Sequence, residues 1–223
     1  MNIAYPLPDK QLIDSCFQNA AAHNFAMQGE FHFSIFVPKA RYVSIGASNT
    51  PASSAHLDNC IADGVQVFKR LSGGEAVYLS PNCVICTSII MAERLPASRD
   101  FFTQNLQWIS SSLSTLGISN ISRKGISDLS IGDKKILGCA IYRRTQVMIF
   151  QAVLNVCEAP STIQRYLLHP AREPDYRASR THNDFISSLS LEGYLITPQE
   201  ITDYFSQRVV SGELMFHSFE SSC

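Results

Sequence analysis

In two stretches of the chain, apolar residues recur every three or four positions, the spacing that predicts an amphipathic helix with one face in a core. The first stretch covers residues 9–28 and the second covers residues 98–116, where Gly117 ends the pattern. The second has the clearer apolar stripe, formed by Phe101, Phe102, Leu106, Ile109, Leu113 and Leu116. We predict shorter helices at residues 55–63, 161–168 and 198–210.

Other stretches alternate apolar and polar residues, or are short apolar runs between turn residues, and these patterns predict strands. The predicted strands cover residues 31–37, 41–45, 65–69, 84–90, 136–143 and 147–156. The last two could pair as a hairpin. Residues 170–185 are polar and contain Pro170 and Pro174. No repeat or break in composition marks a domain boundary, so we expect a single α+β domain over residues 1–223.

A cation and two adjacent glycines, Arg70, Gly73 and Gly74, separate two short apolar runs. Glycines let the backbone approach a ligand and point N–H groups at an anion, and an arginine adds charge beside them. A simple hairpin turn explains a Gly-Gly pair about equally well. A second segment favours a ligand site, because Lys134 and Lys135 lead into a strand whose small residues leave room for a ligand.

Composition and charge narrow the class of protein. A chain of 223 residues with 45% apolar and 17% charged residues has the composition of a globular domain with a sizeable core. Its net charge of −1 gives no general attraction to nucleic acid or to an anionic membrane. No apolar run approaches the ~20 residues of a membrane span, and the first residues lack the pattern of a signal peptide. We therefore expect a cytoplasmic protein with neither nucleic acid nor membrane as a partner.

The seven cysteines are Cys16, Cys60, Cys83, Cys86, Cys139, Cys157 and Cys223. An odd number without an export signal argues for free thiols and against a disulfide framework. Cys83 and Cys86 have the Cys-x-x-Cys spacing, but they lie in an apolar run with no second pair and no histidine nearby. We predict core thiols there rather than a redox or zinc site.

Four motifs resemble those of the lipoate–protein ligase family. Residues 70–78, Arg-Leu-Ser-Gly-Gly-Glu-Ala-Val-Tyr, resemble the family's Arg-Arg-x-Ser-Gly-Gly-Gly-Ala-Val-Phe/Tyr. Residues 132–140, Gly-Asp-Lys-Lys-Ile-Leu-Gly-Cys-Ala, resemble Gly-x-Arg/Lys-Lys-Ile/Val-x-Gly-Ser-Ala. Val43-Ser-Ile-Gly46 with Asn49, and Ser179-Arg180 with Asn183, agree with two further motifs in order and spacing.

The resemblance spans roughly residues 40–185 and implies a fold. It is a mixed β-sheet flanked by helices, similar to the biotin/lipoate protein ligase catalytic domain and related to class II synthetases. The chain ends without the C-terminal accessory domain that many such ligases carry, so we expect none here. An accessory subunit in its place is left open.

The resemblance also implies a reaction. Ligases of this family activate lipoate or octanoate with ATP and a divalent metal, Mg²⁺, and attach the acyl group to a lysine of a lipoyl-carrier domain. In that scheme Lys135 is the catalytic residue, because its compact charge suits an acyl oxyanion or a phosphate. A solvated turn lysine is the alternative, and it suits Lys134 better.

The resemblance assigns the remaining residues to cofactor binding. Arg70 would face phosphate, and Asp128 would order the lysine strand or a metal. Residues along the nucleotide and the acyl chain would be Gly73, Gly74, Glu75, Ala76, Val77, Tyr78 and Gly138. Arg177 and Arg180 resemble the flexible segment that ligases fold over the adenylate to exclude water. Solvated surface side chains are the alternative for Asp128 and for both arginines.

Several positions depart from the family pattern. Glu75 replaces the third glycine of the first motif and places a negative charge where anions would bind. Leu79 stands where the family has a histidine, residues 149–151 replace a His-His-Gly sequence, and Ser127 replaces an asparagine. These departures make catalytic activity a weaker expectation than membership of the family.

Cys139 replaces the family's serine and raises an alternative reaction. Octanoyltransferases of this superfamily form a thioester on a cysteine without ATP, and a thiolate near Lys135 would have a lowered pKa. Cys139 does not match the nucleophile position of those enzymes, so a core or pocket-lining thiol is the preferred interpretation. Three hypotheses follow: an ATP-dependent ligase, an ATP-independent transferase, and a non-catalytic homologue that binds a lipoyl or nucleotide ligand.

Overall fold

The computed structural model describes the strand at residues 27–28 and the continuous stretch from residue 31 to residue 211. Most of the helix predicted at residues 9–28 lies outside the described residues, as do Cys16 and Cys223. The last two residues of that predicted helix are a short strand, so the prediction is wrong there. These residues pair with the next strand, which overrides a local helical pattern.

The described residues form ten strands: β1 Met27–Gln28, β2 Phe31–Phe36, β3 Tyr42–Ile45, β4 Gln66–Lys69, β5 Val77–Leu79, β6 Cys83–Met91, β7 Ile121–Lys124, β8 Asp128–Ile131, β9 Lys134–Arg143 and β10 Val147–Asn155. Seven of them make one sheet in the order β1-β2-β6-β10-β9-β8-β7, with every neighbouring pair antiparallel. The other three make a small mixed sheet, in which β3 pairs parallel with β4 and antiparallel with β5.

The helices are α1 Pro51–Ser54, α2 Leu57–Ala62, α3 Ser98–Thr115, α4 Pro160–Tyr166, α5 His182–Phe185 and α6 Pro198–Val210, with a 3₁₀ turn at Asp175–Arg177. Helices α3 and α6 contact the large sheet and cover its main core. Aromatic side chains join these layers: Trp108 of α3 lies edge-on to Phe33 of β2 and to Phe205 of α6, with ring centroids 4.8 and 5.1 Å apart. A second core lies between the small sheet and helices α2 and α4.

The structure confirms the α+β class and most of the elements that were predicted within the described residues. The helix predicted at 98–116 is α3, and the one at 198–210 is α6. Residues 136–143 and 147–156 form the β9–β10 hairpin as expected. The helix predicted at 55–63 is α2, which begins only at Leu57 because residue 55 is extended and bridges to Leu167. Helix α1, just before it, was not predicted.

Strands β7 and β8 were not predicted from the sequence. Each has four residues, and β7 is polar because it forms the edge of the large sheet. Residues of β7 do not alternate, and the alternation of β8 extends over only four residues, so both strands are defined mainly by pairing with their neighbours. None of the helices among residues 31–211 combines the length and the apolar character that crossing a membrane would require.

The loop between β4 and β5 folds back over the end of β3. The amide N of Ala47 donates to the carbonyl O of Ser72 over 3.0 Å, and the amide N of Arg70 donates to the carbonyl O of Ile45 over 2.9 Å. A Cβ atom on Gly46 would lie only 1.8 Å from the carbonyl O of Gly74. Gly46 therefore allows the close contact between two backbones that places the loop.

We predict that Gly46→Ala destabilises the protein, because the new methyl group must displace the backbone of residue 74. The expected loss is about 1–3 kcal/mol of unfolding free energy, as for other overpacked sites. Gly73→Ala in the same loop is the matched control, since a Cβ there meets no atom within 4 Å. Urea unfolding followed by circular dichroism measures both variants, and equal midpoints for the two would contradict the proposed contact.

Candidate functional site

A cavity of about 920 Å³ lies between the two sheets and the chain that follows α4. Ten of the predicted site residues line it: Arg70, Gly74, Glu75, Ala76, Val77, Tyr78, Asp128, Lys135, Gly138 and Arg177. Two predicted residues, Gly73 and Arg180, do not. The fold thus brings together the glycine loop and the lysine hairpin, which are separated by about 60 residues in sequence. A volume of this size is in the usual range for a pocket that encloses a small molecule.

Much of the cavity wall is apolar, and it includes side chains from both sheets and from α4. Apolar lining residues are Phe36, Tyr42, Phe68, Val77, Tyr78, Leu79, Ile85, Leu137, Val153, Ile163 and Leu167. Polar lining residues are fewer, among them Ser44, Asn49, Arg70, Glu75, Asp128, Lys135, Gln151 and Asn155. This combination suits a ligand with a hydrocarbon part and a charged head.

The Arg70 side chain holds the glycine loop together from within. Its Nε donates to Ser72 Oγ over 3.0 Å, and its Nη1 donates to the carbonyl O of Ser44 over 2.9 Å. Its Nη2 donates to two loop carbonyls, those of Gly73 at 2.7 Å and Glu75 at 2.8 Å. Four of the five guanidinium N–H groups are thus engaged within the chain, which leaves one for a ligand. Burial lowers the pKa of Arg70 to about 10, and the Glu75 charge opposes that shift.

Glu75 keeps its side chain in the cavity wall. Its Oε2 accepts a hydrogen bond of 3.2 Å from Asn49 Nδ2, which also donates over 3.3 Å to the carbonyl O of Gly74. Asn49 belongs to the motif that precedes α1, so this contact joins two of the four predicted motifs. Asn49 is neutral, so the charge that partly offsets Glu75 is that of nearby Arg70, and the Glu75 carboxylate still disfavours anions that approach the loop.

Lys135 enters the cavity from an irregularity in β9. Ser130 of β8 lies opposite Lys135 while Leu129 lies opposite Leu137, so residue 136 is the extra residue of a β-bulge. Bulges redirect side chains and are common beside active sites. The Lys135 side chain then crosses Gly138, where a Cβ would lie 2.8 Å from Nζ. A side chain at position 138 would therefore force the end of the Lys135 side chain to move from this position.

The ammonium of Lys135 forms an ion pair with Asp128. The distance from Nζ to Asp128 Oδ1 is 2.9 Å, and the two side chains are 29% and 5% exposed. Ser127 Oγ donates to the same oxygen over 3.1 Å, and Tyr176 Oη donates to the other oxygen, Oδ2, over 2.8 Å. Asp128 is therefore a buried acceptor paired with the lysine, and the sequence alternative of a solvated surface side chain does not describe it.

Cys139 is in a poor environment for a nucleophile. Its Sγ donates to the carbonyl O of Ser127 over 2.9 Å. Burial raises the pKa of Cys139 well above its usual value, and the Asp128 charge adds to this, while Lys135 opposes it. The expected lowering of this pKa by Lys135 is therefore wrong, because burial and the nearby carboxylate outweigh the lysine. The preferred interpretation of Cys139 as a pocket-lining thiol is confirmed.

The other predicted core thiols are also buried. Cys83 and Cys86 are free and 2% or less exposed. Burial raises the pKa of both thiols, that of Cys83 to about 12. Within the described part of the chain, no group of three histidine, cysteine, aspartate or glutamate side chains could hold a metal ion. The prediction of core thiols is confirmed for this pair.

The segment from Pro170 to Thr181, called here the 170–181 segment, covers the cavity beside the lysine hairpin. Arg180 does not reach the cavity, because its Nη1 binds Asp133 Oδ2 at 2.6 Å in the turn before Lys135. Arg177 lines the cavity and is buried, with its guanidinium carbon 4.8 Å from the centre of the Phe185 ring. The two arginines predicted on this segment thus have different positions, one at the cavity and one at the hairpin turn.

Two site residues were missed by sequence reasoning, Tyr176 and His182. Tyr176 contacts Asp128 across 48 positions of sequence, and no spacing rule predicts such a contact. His182 lines the cavity, and burial lowers its pKa to about 4, with a smaller effect of the Arg177 charge. His182 is therefore neutral near pH 7. The only sequence signal for either residue was the polar, proline-containing character of residues 170–185.

Comparisons with proteins of known structure support the predicted fold. The chain is 17% identical to an archaeal bi-partite lipoate protein ligase from Thermoplasma acidophilum, solved in a study with its E2 lipoyl domain. The match covers 95% of this chain and 82% of the archaeal chain, with a TM-score of 0.71. A second T. acidophilum structure, with bound lipoic acid, is 15% identical over 95% of this chain and 84% of that chain, also with a TM-score of 0.71.

A third similar structure is a lipoate-protein ligase A bound with ATP. It is 16% identical over 94% of this chain and 82% of that chain, with a TM-score of 0.70. At these identities the likeness concerns the fold, and it confirms the expected mixed architecture with flanking helices. No curated protein matches the sequence itself.

A sequence model of the lipoyl protein ligase A/B catalytic domain matches residues 16–210, which is most of the chain. The matched range includes all four motifs. Two of them, the glycine loop and the lysine hairpin, line the cavity. The chain belongs to the lipoyl protein ligase A/B catalytic domain family.

Proposed function

We propose that the protein attaches lipoate or octanoate, through an acyl adenylate formed from ATP, to a lysine of a lipoyl-carrier domain. The observation that carries this proposal is the Lys135 ammonium, held by a buried carboxylate at the wall of a largely apolar cavity. Such a cation stabilises negative charge where an acyl group is activated and transferred. The glycine loop lines the same cavity with Gly74 and with the side chains of Arg70 and Glu75.

The cavity fits the acyl chain of the proposed substrate. Burial of each methylene group contributes about 0.8 kcal/mol, so an eight-carbon chain gains most of its affinity from apolar walls. Side chains such as Ile85, Leu137 and Val153 offer such walls on the large sheet. The carboxylate end of the substrate would then lie toward Lys135 and the loop around Gly74.

Activation and transfer require two displacement steps. In the first, a carboxylate oxygen attacks the α-phosphorus of ATP, and the bond to pyrophosphate breaks. In the second, the amine of the carrier lysine attacks the acyl carbon, AMP leaves with the bonding electrons, and the amine gives up a proton. One N–H of Lys135 is directed at Asp128, which leaves two for the oxygens that gain charge in these steps.

Magnesium would enter with the nucleotide. Mg²⁺ commonly binds through substrate phosphates, waters and one or two carboxylates. Among the cavity carboxylates, Asp128 already has partners on both oxygens and Glu75 accepts from Asn49, so Mg²⁺ would be held mainly by the phosphates and by water. The ion would neutralise phosphate charge during activation.

The similar structures support the cofactors and the acceptor in this proposal. One is bound with ATP, one with lipoic acid, and one comes from a study that includes an E2 lipoyl domain. Their identity to this chain is at most 17%, so ATP, Mg²⁺ and the carrier remain proposals for this protein. The bi-partite archaeal ligase also makes an accessory subunit part of the proposal.

We predict that Lys135→Ala lowers the rate of acyl attachment by at least about 100-fold, the usual effect of removing one donor that stabilises an oxyanion. Lys134→Ala is the matched control, because the adjacent lysine does not line the cavity, and we expect it to keep most of its activity. The measurement is the intact mass of a lipoyl domain incubated with protein, lipoate or octanoate, Mg²⁺ and ATP.

The same assay separates the three hypotheses for this family member. An adduct that needs both ATP and Lys135 supports the ligase. An adduct formed from an acylated carrier without ATP would support the transferase hypothesis and contradict the ligase. No adduct, together with a thermal shift on addition of lipoate or ATP, would indicate a binding protein without catalysis, and the proposed function would then be wrong.

We further predict that Glu75→Gln lowers the KM for ATP several-fold, because it removes a negative charge from the loop and can keep the contact with Asn49. The effect should shrink as ionic strength rises, since salt screens charges that are partly exposed. Glu93→Gln, an exposed glutamate away from the cavity, is the control. A higher KM in Glu75→Gln at low salt would show that the carboxylate helps to bind the nucleotide through Mg²⁺. An unchanged KM would show that its charge does not act on the nucleotide, and either result would contradict the prediction.

A further inference from the structure

Three donors fix the carboxylate of Asp128, and they come from two different parts of the chain. Ser127 Oγ and Lys135 Nζ reach Oδ1 from the β8–β9 hairpin. Tyr176 Oη reaches Oδ2 at 2.8 Å from the 170–181 segment. A carboxylate with partners on both oxygens cannot rotate about its terminal bond without breaking a contact. The Tyr176 contact is therefore the one that connects the orientation of Asp128 to a separate segment.

Tyr176 is held independently of Asp128. Its ring packs against Phe185, with centroids 5.1 Å apart. It does not line the cavity, whereas Asp128 and Lys135 do, so its hydroxyl acts on the site through the carboxylate. Burial raises the pKa of Tyr176, and its hydroxyl remains a proton donor at neutral pH.

The 170–181 segment also contacts the lysine hairpin at a second position. Arg180 binds Asp133 through the side-chain oxygen at 2.6 Å and the carbonyl O at 3.1 Å. Ala178 and Ser179 have φ values of 51° and 58°, a left-handed backbone that costs energy in residues other than glycine. Glu173 Oε1 stabilises this turn by accepting from the amide N of Ser179 over 2.8 Å. In this conformation of the turn, Tyr176 contacts Asp128 and Arg180 contacts Asp133 at the same time.

We propose that Tyr176 is a positioning residue, which orients the Asp128–Lys135 pair and makes that orientation depend on the seating of the 170–181 segment. This inference rests on the proposed function of Lys135. When the segment is seated, Asp128 presents Oδ1 to Lys135, and the ammonium lies over Gly138 toward the cavity. When the segment is displaced, Asp128 loses its contact on Oδ2, and the lysine loses its fixed direction.

The first test is Tyr176→Phe, which removes the hydroxyl and keeps the ring on Phe185. We expect kcat for acyl attachment to fall about tenfold or more, the effect of losing a hydrogen-bonded partner behind a functional group. The KM for the acyl substrate should stay within about twofold, because no contact to the ligand is lost. A raised KM with unchanged kcat would mean that Tyr176 only anchors the segment, and it would overturn the proposal, as would unchanged kinetics.

Tyr194→Phe is the matched control. Its hydroxyl also bonds within the chain, to the amide N and the carbonyl O of Ser119, but it lies away from the cavity. We expect wild-type kcat and KM from this variant. A loss of kcat equal to that of Tyr176→Phe would attribute the effect to general loosening of the fold and would contradict the proposal.

The second test needs no activity and therefore separates this inference from the proposed function. In protein labelled with ¹³C-lysine, the Hε resonances of Lys135 are identified by their loss in Lys135→Arg. A side chain held in one direction gives two distinct Hε shifts, and we expect these to merge in Tyr176→Phe but not in Tyr194→Phe. Distinct shifts that persist in Tyr176→Phe would overturn the proposal even in an active enzyme. If the wild type attaches no acyl group, the proposed function fails, and merging of the shifts still establishes the positioning role.

Discussion

The ion pair between Asp128 and Lys135 is the interaction on which the candidate site depends. A charged group at the wall of an apolar cavity loses part of its hydration, and an ion pair compensates for that loss. Asp128 provides that compensation, and it is itself stabilised by three donors. The bulge at residue 136 and the absence of a side chain at Gly138 follow from the same requirement, since they create the path for the Lys135 side chain.

In the glycine loop, the Arg70 guanidinium mainly contacts backbone carbonyl groups rather than an opposite charge. In the sequence, Arg70 stood out as a cation beside two glycines, and its expected task was to meet phosphate. In the structure most of its donors bind carbonyl groups of the loop and of β3. Because Arg70 donates to these carbonyl groups, the loop has a fixed conformation before a ligand binds. A fixed conformation reduces the conformational entropy that is lost on binding. Arg70 therefore contributes more to the conformation of the loop than to the charge available for a ligand.

The sequence predicted the long elements and the pairing of two distant motifs, but not the contacts between them. Helix α3 and the β9–β10 hairpin have enough periodic residues for their patterns to be read locally. Lys135 was found because a motif marked it. Tyr176 was missed because its function exists only after the fold has brought residue 176 to Asp128. The strand β7 was missed for a similar reason, because a polar edge strand of four residues is defined by its neighbour.

The Asp128 carboxylate also favours one of the two reactions considered for this fold over the other. Lys135 and Cys139 lie four residues apart in β9, and both are influenced by Asp128. The carboxylate forms an ion pair with Lys135 and opposes formation of a thiolate at Cys139. Burial acts in the same sense on the thiol, which already donates its proton to the carbonyl O of Ser127. An arrangement that stabilises a fixed cation and keeps the neighbouring sulfur protonated suits activation of a carboxylate by an external group. It does not suit acyl transfer through a cysteine at this position, because that route needs the thiolate that Asp128 disfavours.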